Sequence, residues 1–551
     1  MGKFCLKRRR QTVMIQDLQS NTRHIETYTK DKRPMTKYIR PNTLVLKTAA
    51  VALLWLSGCD KSLDVTDIQP QPYASVDANG GQWKTILLAS GGELAVPAPK
   101  EVSSAEYRAE LTALKQTREA ATAEQQQAVR YWGAGAVLRW NEIARELAAQ
   151  YNVPPNNNPD GTYPVPDPTN PLQRPRFPFA NPPYAARVFA LLSVAQYDAL
   201  VTAWRAKYAH NRPAPSKTDA SINSLLPGND LPAYPSEDAV VAAASREILK
   251  AMFPGEVPML EAKAKEHQDS RRWAGANVQS DIDAGEALGK AVAQRVMAYA
   301  KADGMSKSNN QADYPKLKEA AAARGITAMW TSREIPVRPP LLPFYGNVKN
   351  WNFDETTKIA LRPAAPPAVG TPEFQKDLEE MRNISRTRTR EQMRIANFWA
   401  DGPGTYTPPG HWNRKAAELI HAARHSELRA ARTLALVNTA LMDAGVCCWE
   451  TKFYYLTQRP SEVDPAIRTV TGIPNFPGYT SGHSTFSGAA ATVLGYVFPD
   501  KKAELEAMAK EASESRIYGG IHFRVDCEVG LRCGNQIGGF AVRRAQADGA
   551  Q

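Results

Sequence analysis

From about residue 124 onward, apolar residues recur three and four apart in segments rich in Ala, Leu, Glu, Arg and Lys. That period predicts helices rather than strands. It places them at 128–150, 185–206, 237–252, 257–267, 281–302, 371–385, 390–399, 413–443, 484–497 and 502–515. Two proline-rich stretches, 154–183 and 336–367, are too irregular for helix and read as connectors. Between Cys59 and Ala123 the pattern is mixed, with a strand or hairpin expected at 83–96 around Gly91-Gly92. The predicted fold class is all-α.

A repeat emerges when residues 245 positions apart are compared. Arg187, Asp198, Trp204 and Lys207 recur as Arg432, Asp443, Trp449 and Lys452. Ser236 recurs as Ser481, Phe253-Pro254 as Phe498-Pro499, Ser270-Arg271 as Ser515-Arg516, and Asp281 as Asp526. Upstream, Trp140-Asn141 matches Trp412-Asn413. Helical composition alone gives scattered matches and does not keep turn residues in step, so two related helical bundles, a tandem duplication, are expected. The copies differ in chemistry: Gly482 faces Glu237, His483 faces Asp238 and His522 faces Asn277. The second bundle is therefore expected to carry the active site and the first to be scaffold.

The net charge of +12 changes meaning once it is located. Residues 1–47 hold a net +9, leaving about +3 for the remainder, which removes the main argument for nucleic-acid binding. Lys37, Arg40 and Lys47 precede a short apolar run at 48–56, and this order reads as an export signal too short to span a membrane. Leu56-Ser57-Gly58-Cys59 resembles a bacterial lipobox, making Cys59 the expected lipidation site and Met35 an alternative start. The expectation is an exported protein of the bacterial cell envelope that touches membrane through a lipid anchor alone. Its domains read as a leader (1–58), a tether and N-terminal extension (59–123), a degenerate bundle (124–325), a connecting segment (326–389) and a catalytic bundle (390–551). Cys447, Cys448, Cys527 and Cys533 could form disulfides in such a compartment, and their spacing lacks the paired units of a zinc site.

Three pieces fall within 75 residues: Lys452 with Arg459-Pro460, then Ser481-Gly482-His483, then Ser515-Arg516 followed by His522 and Asp526. Singly each is weak; their ordered combination is specific. A tetrahedral oxyanion needs several fixed cations once water is excluded, and Lys452, Arg459 and Arg516 supply three. The Ser481 hydroxyl and Gly482 amide add donors, reinforced if a helix begins at Ser484. Asp526, four residues after His522, can accept one ring N–H if a helix runs through both, which leaves the other nitrogen to meet the central atom. His483 then serves as general acid or base.

These residues resemble the superfamily of type 2 phosphatidic acid phosphatases, bacterial acid phosphatases and vanadium-dependent haloperoxidases. The likeness is closest to exported bacterial haloperoxidase-like proteins, through the stretch FWADGPGTYTPPGHWN at 398–413. It implies two four-helix bundles. It also implies vanadate as cofactor, with equatorial oxygens held by Lys452, Arg459, Ser481, Gly482 and Arg516, His522 as axial metal ligand, and His483 bonded to the apical oxygen. The implied reaction is oxidation of halide by hydrogen peroxide to hypohalous acid, with vanadium pentavalent throughout. Trp449 and Phe476 stand where chloroperoxidases of the family place aromatics beside halide, although Trp204 in the first copy equally suggests packing.

Phosphate fits the same pocket, so an acid phosphatase acting on phosphomonoesters through a phosphohistidine at His522 is the runner-up. A noncatalytic envelope protein that binds anions is the third reading. His411 is expected to line the cleft or to be structural, His421 and His425 to pack rather than bind metal, and Asp401 to form a turn.

Overall fold

The structure is a computed structural model that describes residues 68–227 and 230–550. The export signal, the lipobox with Cys59, Met35 and Cys5 lie outside the described residues. The described residues are all-α, and their β-pairing is a lone bridge between Met329 and Thr457. Residues 68–550 belong to one compact unit.

In chain order the longer helices are α1 (Ala105–Glu119), α2 (Ala123–Gly133), α3 (Ala136–Tyr151), α4 (Pro182–His210), α5 (Glu237–Met252), α6 (Val257–Trp273), α7 (Gln279–Lys301) and α8 (Tyr314–Ala323). There follow α9 (Pro372–Thr387), α10 (Arg390–Phe398), α11 (Thr407–Ala422), α12 (Glu427–Tyr455), α13 (Gly482–Val497), α14 (Lys502–Tyr518) and α15 (Arg524–Ala547). At the centre α4 packs on α12. Both are apolar around nearly their whole circumference, as fully surrounded helices must be. Asn181 and Ser426 cap their N-termini by accepting the N–H of Tyr184 and Arg429. Both end in a left-handed residue, Asn211 and Leu456, each with φ of 48°.

The 245-residue spacing reappears in the elements. α4, α5 and α6 are matched by α12, α13 and α14 with equal lengths of 29, 16 and 17 residues. Buried ion pairs recur in step: Arg187 with Asp303 at 2.6 Å and Arg432 with Asp548 at 2.7 Å. Asp198 accepts the backbone N–H groups of Ile86, Leu87 and Leu88, and Asp443 those of Trp351 and Asn352. Across the centre, Asn141 Nδ2 donates to Asn413 Oδ1 at 2.7 Å, joining the two upstream matches.

The hairpin expected at 83–96 does not form. This stretch makes turns, because three of its N–H groups are taken by the Asp198 carboxylate rather than by a partner strand. The helix expected at 128–150 is two, broken at Gly135 (φ 137°), where the Glu427 carboxylate accepts from Ala136 N and Val137 N. Likewise 413–443 spans the end of α11 and the start of α12, parted where Arg424 (φ 51°) turns the chain and Ser426 caps anew. Cys447, Cys448, Cys527 and Cys533 are free thiols, so none of the disulfides considered is present. Among the described residues no helix is long and apolar enough to cross a membrane.

Helix α15 had no counterpart in the pattern, and its glycines explain why. A Cβ at Gly530 would sit 2.9 Å from Ser481 O, and one at Gly534 would collide with Thr485 O, so α15 and α13 pack backbone on backbone. Gly285 and Gly289 do the same between α7 and α5. Glycine disfavours helix locally yet permits this contact. Gly534→Val should therefore cost about 3 kcal/mol or more through overpacking. Gly539→Ala, whose Cβ would come no nearer than 3.8 Å to Arg543, should be neutral or stabilising. Denaturant midpoints of the two variants check this, and equal midpoints would contradict it.

Candidate active site

Four helix ends converge on one pocket. Lys452 lies in the last turn of α12, and the left-handed turn at Leu456 returns the chain to Arg459. Ser481 is the N-cap of α13 and Gly482 its first residue, so the helix starts two residues earlier than the sequence pattern suggested. Arg516 closes α14. His522 sits in the loop before α15, and Asp526 lies in that helix's first turn.

The expected helix through His522 and Asp526 is thus absent, since α15 begins at Arg524. The contact it was to provide is nonetheless made: His522 Nδ1 lies 3.0 Å from an Asp526 carboxylate oxygen that also accepts the N–H of Phe523. A carboxylate on Nδ1 fixes the tautomer and leaves the Nε2 lone pair to accept the Arg459 N–H. That nitrogen is 3.3 Å from Arg459 Nη1. Burial first, then Arg459, Lys452, His483 and Arg516, hold the His522 imidazole well below its ordinary pKa, so the ring is neutral. Burial pushes the Asp526 carboxyl up to about 7, against the lowering by Lys452.

Lys452, Arg459, Arg516 and His522 are all at most 2% exposed. Lys452 Nζ donates to the carbonyls of Pro477 and Gly478 at 2.8 and 2.7 Å. Arg459 donates to those of Phe476 and Ile521, and Arg516 to Ala396 O and Ser515 Oγ. Among the described residues no carboxylate lies within ion-pair distance of any of the three. Burial lowers Lys452 to about 8 and both arginines to about 10, against the raising by Asp526 on Lys452 and Arg459 and by Asp401 on Arg516.

In the first bundle the matching cations are neutralised. Lys207 meets Glu237 at 2.7 Å, Arg271 meets Asp238 at 3.4 Å, and Arg212 pairs with Asp281. Glu237 and Asp238 occupy the positions that Gly482 and His483 hold in the second bundle. Where one bundle carries its own anions, the other has glycine and histidine at the same positions. A Cβ at Gly482 would meet protein only at 3.9 Å, so packing does not demand the missing side chain. His483 Nε2 is buried without a hydrogen-bond partner. Burial and Arg516 keep this ring neutral, against backbone bonds to Trp399 and Ala400. The first N–H groups of α13 have no acceptor within the helix. Three cations, a hydroxyl, a helix N-terminus, an orphaned imidazole nitrogen and a His522 Nε2 whose partner is itself one of those cations fit a tetrahedral oxyanion such as vanadate or phosphate.

Of the aromatic pair expected near the anion, Phe476 lies beside two of the cations and Trp449 packs against it. Phe476 lies 4.8 Å from Trp449 between ring centroids, and Lys452 Nζ and Arg459 Cζ both lie 5.2 Å from the Phe476 ring. Trp449 is buried and donates to Leu341 O, whereas Phe476 lines a cleft leading to His483 and Arg516. His411 stacks on Trp399 at 4.3 Å and pairs with Asp401, a structural role. Asp401 has φ of 44°, as a turn former does. His421 bonds Gln71, and His425 stacks on Phe498. No metal-holding group of His, Cys, Asp or Glu occurs among the described residues. The backbone carbonyls that clamp Lys452 and both arginines were not foreseen, since carbonyls carry no residue-type signal.

Residues 432–548 match the model of the PAP2 superfamily. The match spans every residue of the pocket from Lys452 to Asp526. Among solved structures the chain is similar to a bacterial vanadium-dependent iodoperoxidase, with a TM-score of 0.52 and 25% identity, covering 66% of this chain and 91% of that one. Apo and holo forms of a bacterial vanadium-dependent chloroperoxidase follow at TM-scores of 0.48, with 12% and 13% identity. They cover 67% and 72% of this chain and 95% and 97% of those chains. No curated protein matches the chain.

Two outcomes test the pocket. Gly482→Glu should give Lys452 the counter-ion that Lys207 has, abolishing sulfate binding while raising stability on the order of 1–3 kcal/mol. Calorimetry and denaturation of that variant check it, and retained sulfate binding would contradict it. Sulfate does not titrate near neutrality, so its affinity should follow Lys452. With a free-state value near 8, the lysine is charged at pH 7 and mostly neutral at pH 9. Binding should then weaken between pH 7 and pH 9, by up to about tenfold, and this loss should be absent in Lys452→Met; the same loss in that variant would show that Lys452 does not set it.

Proposed function

We propose that this chain is a vanadium-dependent haloperoxidase-like enzyme that oxidises halide with hydrogen peroxide to hypohalous acid. The observation that carries this reading is the set of three buried cations, without a contacting carboxylate among the described residues, gathered around Nε2 of His522. Similarity to the iodoperoxidase supports the choice of chemistry, as does the aromatic face of Phe476 beside the cations. A weakly hydrated halide tolerates such a wall better than a polar ester does. Cys59, if lipidated, would hold the enzyme at the bacterial envelope.

When bound, vanadate supplies the Lewis acid that activates peroxide toward halide. The chain's residues do the rest. His522 offers Nε2 as ligand, held in that tautomer by Asp526 on Nδ1. Lys452, Arg459, Arg516, Ser481 and Gly482 hold and polarise the anion's oxygens, as fixed donors in a dry site do at low reorganisation cost. His483 Nε2, free of other partners, accepts or returns the proton that halide oxidation requires.

The PAP2 match favours one alternative, hydrolysis of phosphomonoesters. There His522 would attack phosphorus and His483 would protonate the leaving group. One paired assay separates the two. Protein freed of bound anion is expected to oxidise bromide or iodide with peroxide only after vanadate is added, and to leave a phosphomonoester intact. Hydrolysis that vanadate inhibits, without halide oxidation, would reverse the assignment. His522→Ala should abolish the activity, and Asp526→Ala should lower it about 10- to 100-fold. Undiminished turnover in His522→Ala would reject the site.

A further inference from the structure

The first bundle keeps a cavity where the second has its cleft, with a volume of ≈ 220 Å³. Leu231, Asp238 and Arg271 line it, and the residues 245 positions on, Phe476, His483 and Arg516, line the cleft of the second bundle. The lysine clamp recurs as well, since Lys207 Nζ donates to Pro232 O at 2.7 Å as Lys452 Nζ does to Pro477 O at 2.8 Å. The duplicated position is thus still a pocket, with its charges changed. Its volume is about seven times the roughly 30 Å³ of one water molecule and falls short of the about 300–1,000 Å³ that holds drug-sized ligands. A ligand of a few heavy atoms fits.

The charges around this cavity do not cancel. Glu237 is paired with Lys207 at 2.7 Å, and Asp238 with Arg271 at 3.4 Å. His267, beside Asp238, adds no charge: burial holds its pKa below the ordinary value, and its Nδ1 accepts the Trp140 indole N–H at 3.1 Å. The third carboxylate in the wall, Glu427 from the first turn of α12, has no Lys, Arg or His within ion-pair distance among the described residues. It is buried, and its oxygens accept the N–H groups of Ala136 and Val137, which carry no net charge. Burial, then Asp238, push this carboxyl up to about 7. One negative charge is left over, the reverse of the C-terminal pocket, and a cation among these acceptors would offset the cost of burying it.

The site is open to such a cation. The side chains of Glu237 and Asp238 line the cavity and keep 16% and 11% of their surface exposed. Tyr73, partly exposed in the same wall, adds an aromatic ring, a group that attracts ammonium. Its phenol is raised well above the ordinary pKa by burial and then by Glu427, Glu237 and Asp238, so the three carboxylates converge on one spot. Among the described residues no group of His, Cys, Asp or Glu is arranged to hold a metal ion, which leaves an organic cation. We propose that the first-bundle cavity binds a small organic monocation of the alkylammonium class, its N–H groups facing Glu237, Asp238 and Glu427. The first bundle then carries a second binding site, of opposite charge preference, that does not depend on the chemistry of the C-terminal pocket.

Propylammonium is the probe, and 1-propanol is its neutral control of nearly the same shape. Saturation-transfer NMR on the full chain measures both at pH 8, where Glu427 is ionised and the amine still protonated. We expect saturable propylammonium binding at least about tenfold tighter than that of propanol, the weight of a hydrogen bond to a charged group. Glu427→Gln keeps a side-chain acceptor for the start of α3 while removing the charge, and should weaken propylammonium about tenfold. Leu231→Trp fills the cavity without altering a charge and should abolish binding, which tests the cavity even where Glu427→Gln does not fold. Absent propylammonium binding, or propanol bound as tightly, would overturn the proposal. So would binding left unchanged by either folded variant, as ion pairing at surface carboxylates would be.

Discussion

Three cations buried without counter-charge are the constraint around which the C-terminal bundle is arranged. Removing Lys452, Arg459 and Arg516 from water costs several kcal/mol per charge unless something negative repays it, and among the described residues no carboxylate lies within ion-pair distance of them. Backbone carbonyls satisfy their donors geometrically and lower the cost, yet they carry no net charge. Under the proposed function, that missing charge is what would make the pocket a receptor for an anion. The first bundle shows the other solution, with Glu237 and Asp238 lodged among the matching cations.

The rest of the architecture holds that imbalance in place. Helices α4 and α12 form an apolar centre from which the last turn of α12 projects Lys452. Glycine contacts bring α15 against α13 closely enough for Ser481 N to donate to Asp526 O at 2.9 Å. The N-cap of one helix and the carboxylate that orients His522 are thereby joined through the backbone. A loosened α13–α15 contact would move the anion donors and the ligand nitrogen together, which ties the stability of this bundle to the geometry of its chemistry.

Much of this was legible in the sequence because it rested on residue type and spacing. The 245-residue register exposed the matching of Lys207 with Lys452 and of Ser270-Arg271 with Ser515-Arg516, and the substitutions at 237 and 238 marked which bundle was chemically open. What escaped depended on tertiary contact. Helix α15 was hidden by glycines whose local cost is offset only when α13 lies against them. The stretch around Gly91-Gly92 looked like a hairpin because nothing local reveals that Asp198, more than a hundred residues away, accepts its N–H groups. The breaks at Gly135 and Arg424 likewise depend on Glu427 and Ser426 capping the helices that follow. His522 and Asp526 were paired correctly for a reason that did not hold, since a loop and a helix start bring them together rather than a shared helical turn.

The central claim is that the missing counter-charge is a tetrahedral oxyanion seated against His522. A crystal structure of the full chain soaked in vanadate tests it most directly. The account predicts one vanadate bonded to His522 Nε2, with its oxygens within hydrogen-bond reach of Lys452, Arg459 and Arg516. Vanadate bound elsewhere, or a carboxylate of the chain found among those three cations with the anion excluded, would contradict it.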